Sequence, residues 1–197
     1  MIKIEDLSIV HYCHPTCIPF LNICRLPKEE AFTLAYKMAV EMAVANPEAN
    51  SYHRFAKGEK GFESYYPRRM MTDEYLYDMF TSLGGKPKEK HPLSFVLQGS
   101  EWLDSWFGNG LVFSIKLNTI PSEYISFTLG DSMVMLLQKD GVRVSEIQHG
   151  KITMYTKEML LSSITHFEGA IDDYMNHITD KYKYIEVQLW NDDYCIV

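Results

Sequence analysis

Apolar residues recur every three or four positions between residues 28 and 45, and this spacing predicts the clearest helix of the chain. Pro27 precedes this helix, and Glu29 and Glu30 fall in its first turn, where the helix dipole favours negative charge. A second helix is predicted from Thr72, as its N-cap, to the pair of glycines that follows residue 83.

The C-terminal third of the chain carries a second strongly amphipathic pattern. Apolar side chains alternate four and three residues apart from Leu160 to Ile178, and Thr156 stands where an N-cap is needed. Gly169 falls inside this stripe, so we predict one long helix that tolerates the glycine. A short helical turn is predicted after Ser100.

Runs of β-branched and aromatic residues, bounded by turn residues, predict the strands. The chain therefore reads as one α+β domain over residues 1–197. It has a mixed or mostly antiparallel sheet, an N-terminal helical half and a long C-terminal amphipathic helix before the last strand. The strands are predicted at 7–12, 92–97, 111–117, 123–129, 133–137, 142–147, 151–155 and 184–190, with an Asp140-Gly141 hairpin turn.

The acidic balance of the chain limits its partners. A net charge of −7 over 197 residues opposes non-specific binding to nucleic acid or to an anionic membrane. No apolar run reaches the roughly 18 residues of a membrane span, and the N-terminus lacks the pattern of a signal peptide. We therefore expect a cytoplasmic protein without a membrane partner. Four cysteines do not form a secreted disulfide framework, so we expect reduced thiols.

Four residues that commonly bind metals lie close together near the N-terminus, namely His11, Cys13, His14 and Cys17. Structural zinc sites usually combine two separated pairs of ligands, and this segment supplies no second pair, so we expect no metal. The cysteines suit small core positions, whereas the polar residues after the strand suit the edge of a cleft. The sequence leaves open whether His11 or His14 faces it.

The segment from residue 46 to residue 69 is polar and interrupted by glycines, and we predict a functional loop there. Aromatic rings and basic groups alternate in it, which suits a nucleotide-like small molecule or another phosphate-bearing ligand. The same side chains also suit a solvated loop whose tyrosines cover the core. They are Tyr52, His53, Phe55, Phe62, Tyr65 and Tyr66, with Arg54, Lys57, Lys60, Arg68 and Arg69.

Two further features are candidates for a site. The predicted turn Gly130-Asp131-Ser132 ends a strand and exposes a hydroxyl and a carboxylate, although turns commonly select these residue types. In the last strand Glu186 shares one face with Gln188 and Trp190, which indicates either a site or the exposed face of an edge strand. The chain contains no P-loop, no G-x-S-x-G elbow and no G-x-G-x-x-G motif.

Four short stretches, taken in chain order, resemble the motifs of one enzyme family. They are His14-Pro-Thr16, Tyr66-Pro-Arg68-Arg69, Ser126-Phe-Thr-Leu-Gly130 and Tyr184-Ile-Glu-Val-Gln188. The family is that of the ADP-ribosyltransferases, most nearly the toxins that modify DNA. Its members begin with a strand carrying His-x-Thr, continue with an arginine-bearing segment and a Phe-Thr-x-Gly turn, and end with a strand that holds a catalytic glutamate.

The resemblance implies an NAD-dependent enzyme with Glu186 as its catalytic residue and leaves the acceptor unspecified. It implies that His14 and Thr16 contact the ribose or the amide of NAD, and that Arg68 or Arg69 holds phosphate. Tyr66 and Thr128 are implied as further cofactor-binding residues.

Two other functions remain open from the sequence. A non-enzymatic binding, immunity or regulatory protein would use the aromatic and basic residues 52–69 as an interface with a protein partner. An enzyme acting on phosphate esters would instead use Asp131 with a divalent metal.

Overall fold

Six strands form one antiparallel sheet in the computed structural model of the protein, which describes residues 3–45, 56, 59–133 and 154–195. The strand order is β3-β1-β2-β6-β4-β5, so the last strand of the chain lies inside the sheet, between β2 and β4. The α+β fold expected from the sequence is thereby confirmed. The strands are β1 (Ser8–Cys13), β2 (Leu93–Leu97), β3 (Leu111–Lys116), β4 (Ile125–Leu129), β5 (Met154–Thr156) and β6 (Ile185–Leu189).

The described residues contain five α-helices, and the predicted N-caps are in place at two of them. Ser100 Oγ accepts a hydrogen bond from Leu103 N at 3.3 Å, and Thr156 Oγ1 accepts one from Met159 N at 3.3 Å. The helices are α1 (Lys28–Ala45), α2 (Glu59–Ser82), α3 (Glu101–Trp106), α4 (Lys157–Thr165) and α5 (Ile171–Tyr182).

Helix α2 corrects the predicted loop, because it runs unbroken from Glu59 through Pro67 to Ser82. Thr72 is not an N-cap, since its Oγ1 lies in the middle of the helix and donates to Arg68 O at 2.8 Å. The buried side of α2 carries residues three or four positions apart, and this stripe extends the one predicted for the helix after Thr72 toward the N-terminus. Its members are Phe62, Tyr66, Arg69, Asp73, Leu76 and Phe80.

The single C-terminal helix is also corrected, because α4 and α5 are separate helices. Asp173 Oδ2 accepts a hydrogen bond from Ala170 N at 2.9 Å and so begins α5 as a new helix. A Cβ atom at Gly169 would lie 3.1 Å from Phe167 Cε1 and 3.2 Å from Asp173 Oδ2. The glycine therefore permits the tight link between the helices.

The two faces of the sheet have different partners. One face carries Ile185, Val187 and Leu189 into the main hydrophobic core, which α4 and α5 complete. On the opposite face Trp190 is fully buried and stacks on Phe80 of α2, with ring centroids 5.4 Å apart. Helix α2 thus covers the sheet face to which Glu186 belongs, and this polar face is buried.

Several predictions lie outside the described residues. They are the strand at 133–137 beyond Met133, the strand at 142–147, the hairpin at 140–141, the first residues of the strand at 151–155, and most of the segment 46–58. Within the described part of the chain, none of the helices combines the length and the apolar composition needed to cross a membrane.

Candidate functional site

A cavity of about 480 Å³ lies where strands β1 and β2 separate. Their pairing stops at Val10 and Val96, and residues of both strands beyond this point line the cavity. The ring of His11 stands at the separation, with Nδ1 2.9 Å from Ser94 O and Nε2 3.4 Å from Phe20 N. A carbonyl accepts and an amide N–H donates, so these contacts place the ring proton on Nδ1.

The walls of the cavity are mainly apolar. Helix α1 contributes Ala35, Met38, Ala39 and Met42, and α3 contributes an aromatic pair. In that pair Trp102 stacks on Trp106 with centroids 5.2 Å apart, and Trp102 remains 42% exposed. A mainly apolar hollow of this size with a few polar groups at one end is typical of a site for a small organic molecule.

Glu186 supplies a carboxylate at the polar end of the cavity. Its Oε2 accepts a hydrogen bond from Ser132 N at 2.7 Å, and its Oε1 accepts one from Ser94 Oγ at 3.4 Å. Burial raises the pKa of Glu186, the nearby Asp131 carboxylate raises it further, and Arg69 partly offsets both. The side chain is therefore a buried acid that ionises later than an ordinary glutamate.

Arg69 projects from α2 into the same end of the cavity and is only 9% exposed. Its guanidinium donates to Ser94 Oγ at 3.1 Å, and its Nε lies 2.9 Å from Asp73 Oδ1. Burial lowers the pKa of Arg69, but the Asp73 carboxylate together with Tyr65, Glu186 and Cys24 outweighs burial, and the net direction is upward. Arg69 is thus a buried cation that connects Asp73, by way of Ser94, to Glu186.

Two tyrosines stand beside this carboxylate and guanidinium. Tyr65 of α2 and Tyr184, which precedes β6, both line the cavity. Burial raises the pKa of Tyr65 to about 12 and also raises the pKa of Tyr184. Both phenols are therefore neutral near pH 7 and offer hydroxyl groups and ring faces to a bound molecule.

A group of three metal-ligand atoms lies behind the cavity, where Cys24, Asp73 and His91 bring theirs within 4.8 Å of one another. The carboxylate and the imidazole already have partners, since Asp73 Oδ2 accepts from His91 Nδ1 at 3.0 Å and from Asn22 Nδ2 at 2.8 Å. Burial and the Asp73 charge raise the pKa of Cys24 to about 12, which favours the thiol. Asp73 is thus held by these hydrogen bonds and supports Arg69 through their ion pair.

Two of the seven residues predicted for the site, Glu186 and Arg69, line the cavity. The other five do not line it. His14 and Thr16 bind each other, with Nδ1 2.8 Å from Oγ1, and the histidine that reaches the cavity is His11.

The remaining three residues predicted for the site also have other surroundings. Tyr66 Oη donates to Leu26 O at 3.1 Å, and Arg68 points to the exposed side of α2. Thr128 is fully buried and its Oγ1 accepts from Gln188 Nε2 at 3.0 Å. These contacts hold α2 and the centre of the sheet in place.

The Gly-Asp-Ser turn also differs from expectation, because Ser132 is fully buried and its backbone N–H binds Glu186. Asp131 is exposed as predicted and lines the cavity. Sequence reasoning missed Ser94, although it is the single polar residue of the strand Leu93–Leu97. It also missed Trp102 and Trp106, whose spacing of four predicts one face of a helix.

Comparisons of the chain with protein-family models, with curated proteins and with solved structures found no match. The function must therefore be inferred from the residues of the cavity itself.

Proposed function

We propose that the protein is an NAD-dependent enzyme of the ADP-ribosyltransferase type, with Glu186 as its catalytic carboxylate. The observation that carries this proposal is that Glu186 lies on a central strand, buried at the polar end of a cavity large enough for a small organic molecule. The first strand and the late glutamate strand border the same cavity, and this arrangement agrees with the order of motifs that the resemblance implies.

The residues of the cavity suit the chemistry of glycosyl transfer. When the bond between the ribose C1′ and the nicotinamide nitrogen breaks, its electron pair stays on nicotinamide, which leaves as a neutral molecule without an acid. The ribose passes through a state with positive charge near C1′, and a close carboxylate stabilises that charge. The acceptor then bonds to C1′ and releases a proton. One ionised carboxylate, as Glu186 provides, is sufficient for this reaction.

The apolar walls contribute by excluding water. Water is the competing nucleophile, and electrostatic stabilisation by a carboxylate is stronger in a site from which water is removed. Aromatic side chains on the wall suit contact with the flat nicotinamide and adenine rings, and Trp102 and Tyr184, which stack on each other, form one such aromatic surface. We expect the rate of nicotinamide release to rise with pH through the pKa of Glu186, because the reaction needs the ionised form.

The proposal is tested by titrating the protein with NAD in a calorimeter and by measuring nicotinamide release. Glu186→Gln should keep NAD binding but lower release by about 100-fold or more, since it removes a charge that stabilises the transition state. Arg69→Lys should weaken NAD binding about tenfold, because it keeps the charge and loses the planar fork of donors.

Arg68→Lys is the matched control, since Arg68 is the neighbouring residue of α2 and points away from the cavity. It should leave both measurements unchanged. Absence of NAD binding at millimolar concentration would refute the proposal. Equal weakening by the Arg68 and Arg69 substitutions would show that NAD binds elsewhere.

The alternative of a protein interface at residues 52–69 has less support from the described residues. Phe62 is buried against Ala31 and Ala35 of α1, and Tyr66 packs beside it, so two aromatic rings of that segment serve the core. The phosphate-ester alternative is tested in the same experiment. An activity that a chelator abolishes would favour Asp131 with a divalent metal over the transferase.

A further inference from the structure

A continuous series of buried polar contacts runs from Asp73 to Glu186. Asp73 Oδ1 lies 2.9 Å from Arg69 Nε, Arg69 donates to Ser94 Oγ at 3.1 Å, and Ser94 Oγ donates to Glu186 Oε1 at 3.4 Å. Asp73 does not line the cavity, and its side chain is 0% exposed. It therefore acts on the cavity through the lining residues that it contacts, Arg69 by an ion pair and Asn22 by a hydrogen bond, and of these only Arg69 is charged.

The other contacts of Asp73 fix its position from two further parts of the chain. Asn22 Nδ2 donates to both Asp73 Oδ2 and Pro92 O, each at 2.8 Å. His91 Nδ1 lies 3.0 Å from Asp73 Oδ2, and the backbone carbonyl of His91 accepts from Arg25. A buried carboxylate with this many donors is held in one orientation, and it holds its ion-pair partner in turn.

The charges along this series are unequal. Of the described residues that line the cavity, Arg69 alone is a lysine or an arginine, while Glu186 and Asp131 both supply carboxylates. Arg69 forms its direct ion pair with Asp73 and reaches Glu186 through a serine hydroxyl. Since Coulomb attraction falls with distance, Asp73 takes the larger share of the stabilisation that one guanidinium provides.

We propose that Asp73 is a positioning residue of this site, which fixes Arg69 by a direct ion pair and thereby limits how much of the Arg69 charge reaches Glu186. The part of this role that concerns catalysis rests on the proposed function, since it requires Glu186 to be the reacting carboxylate. The electrostatic link between the two carboxylates does not depend on that function.

The ionisable groups that face Glu186 come from three parts of the chain. Arg69 and Tyr65 approach from α2, Asp131 follows β4, and Tyr184 precedes β6. The tyrosines are neutral near pH 7, and Asp131 repels the ionised form of Glu186. A change at Asp73 therefore acts on Glu186 mainly through the one cation, Arg69.

The test follows the Glu186 carboxyl carbon by NMR as a function of pH, in protein labelled with carbon-13 at glutamate side chains. The signal is assigned by its loss in Glu186→Gln. Asp73→Asn keeps the shape of the side chain and removes its charge, so Arg69 becomes available to Glu186. We expect the midpoint of the Glu186 titration to fall by about one pH unit or more, because a nearby positive charge that is not shared with another carboxylate favours the ionised form.

Asn22→Ala is the matched control, because it removes a contact of Asp73 without changing any charge. It should leave the Glu186 midpoint where it is. An unchanged midpoint in folded Asp73→Asn would overturn the proposal, as would an equal shift in Asn22→Ala, which would indicate general disruption.

Ser94→Ala keeps the proposal falsifiable if Asp73→Asn does not fold. It removes the hydroxyl between Arg69 and Glu186, so the Glu186 midpoint should rise. An unchanged midpoint in this variant would also refute the link.

Measurements with NAD separate this inference from the proposed function. If the wild type binds NAD and releases nicotinamide, the pH profile of release should move to lower pH in Asp73→Asn. An absence of NAD binding together with a shifted midpoint would refute the enzyme and leave the electrostatic link intact. Normal nicotinamide release with an unchanged midpoint in Asp73→Asn would refute the link alone.

Discussion

Replacing Glu186 by glutamine should stabilise the protein near pH 8 and should have a much smaller effect near pH 4. The carboxylate is buried beside Asp131, and both conditions raise its pKa in the folded protein. Ionising the side chain therefore costs more free energy in the folded state than in the unfolded state. Glutamine has nearly the same shape and no charge, so it removes this cost.

The sign of the effect follows from proton binding. The unfolded chain releases the glutamate proton near its ordinary pKa of about 4.3, whereas the folded protein keeps it to higher pH. Between these two values the folded state of the wild type holds more protons than the unfolded state, so its free energy of unfolding falls as pH rises. The variant has no carboxylate to titrate at this position. Its free energy of unfolding, relative to that of the wild type, therefore grows through the same pH interval.

The magnitude can be worked from two contributions. Each unit by which the folded pKa exceeds the unfolded one adds about 1.4 kcal/mol to the advantage of the variant at high pH. Against this, Ser132 N and Ser94 Oγ both donate to Glu186, and glutamine offers one oxygen instead of two. The lost hydrogen bond costs about 1 kcal/mol and is nearly independent of pH. The difference in the free energy of unfolding between variant and wild type should therefore change between the two pH values only through the ionisation of the Glu186 carboxylate.

The assay is urea denaturation of the wild type and of Glu186→Gln at about pH 4 and about pH 8, provided that both unfold in one step. Glu63→Gln serves as a control, because Glu63 lies on the exposed side of α2. We expect the difference in the free energy of unfolding to grow with pH for Glu186 and to stay near zero for Glu63. A difference that is the same at both pH values would refute the reasoning, because Glu186 would then have an ordinary pKa in the folded protein.

Two further predictions concern the cavity wall and a helix cap. The thiol of Cys17 and the ring of His11 lower the pKa of Cys13, but this cavity-wall side chain is only 3% exposed. Near pH 7 we therefore expect iodoacetamide to modify Cys13 more slowly in the folded protein than in urea, as followed by peptide mass spectrometry. Equal rates under the two conditions would contradict this. Thr156→Ala removes the N-cap of α4 and should lower the free energy of unfolding by about 1 kcal/mol in urea denaturation, and an unchanged midpoint would argue against the cap.

The elements with a regular period were predictable because one side of each is mainly apolar. Helix α1 has the predicted bounds, and strands β1, β2, β3, β4 and β6 agree with their predictions to within two residues. The first half of α2 was missed because two members of its inward stripe, Arg69 and Asp73, are charged. Charged residues are rarely buried unless they are paired, and here the partners are four residues apart on the same helix. That spacing was the available signal.

The site was less predictable than the fold because it depends on the strand order. The alternation of side chains along the last strand predicts that Glu186 lies on a polar face. A local pattern does not reveal that β6 lies between β2 and β4. His11 was not separable from His14 because the cavity begins where two distant strands part, between Val10 and Val96. Ser94 became relevant only when β2 and β6 were paired, with Val96 opposite Glu186.

The position of Glu186 connects the stability of the protein to its proposed activity. A carboxylate at the edge of a sheet would be solvated and would ionise freely, but water would weaken its attraction for a developing positive charge. On the central strand β6, covered by α2, the carboxylate is costly to ionise and correspondingly strong once ionised. Full pairing with Arg69 would reduce that cost and would also neutralise the charge that the proposed reaction needs. By the proposal above, the direct ion pair between Arg69 and Asp73 limits this neutralisation, which gives the second buried carboxylate behind the cavity a physical role.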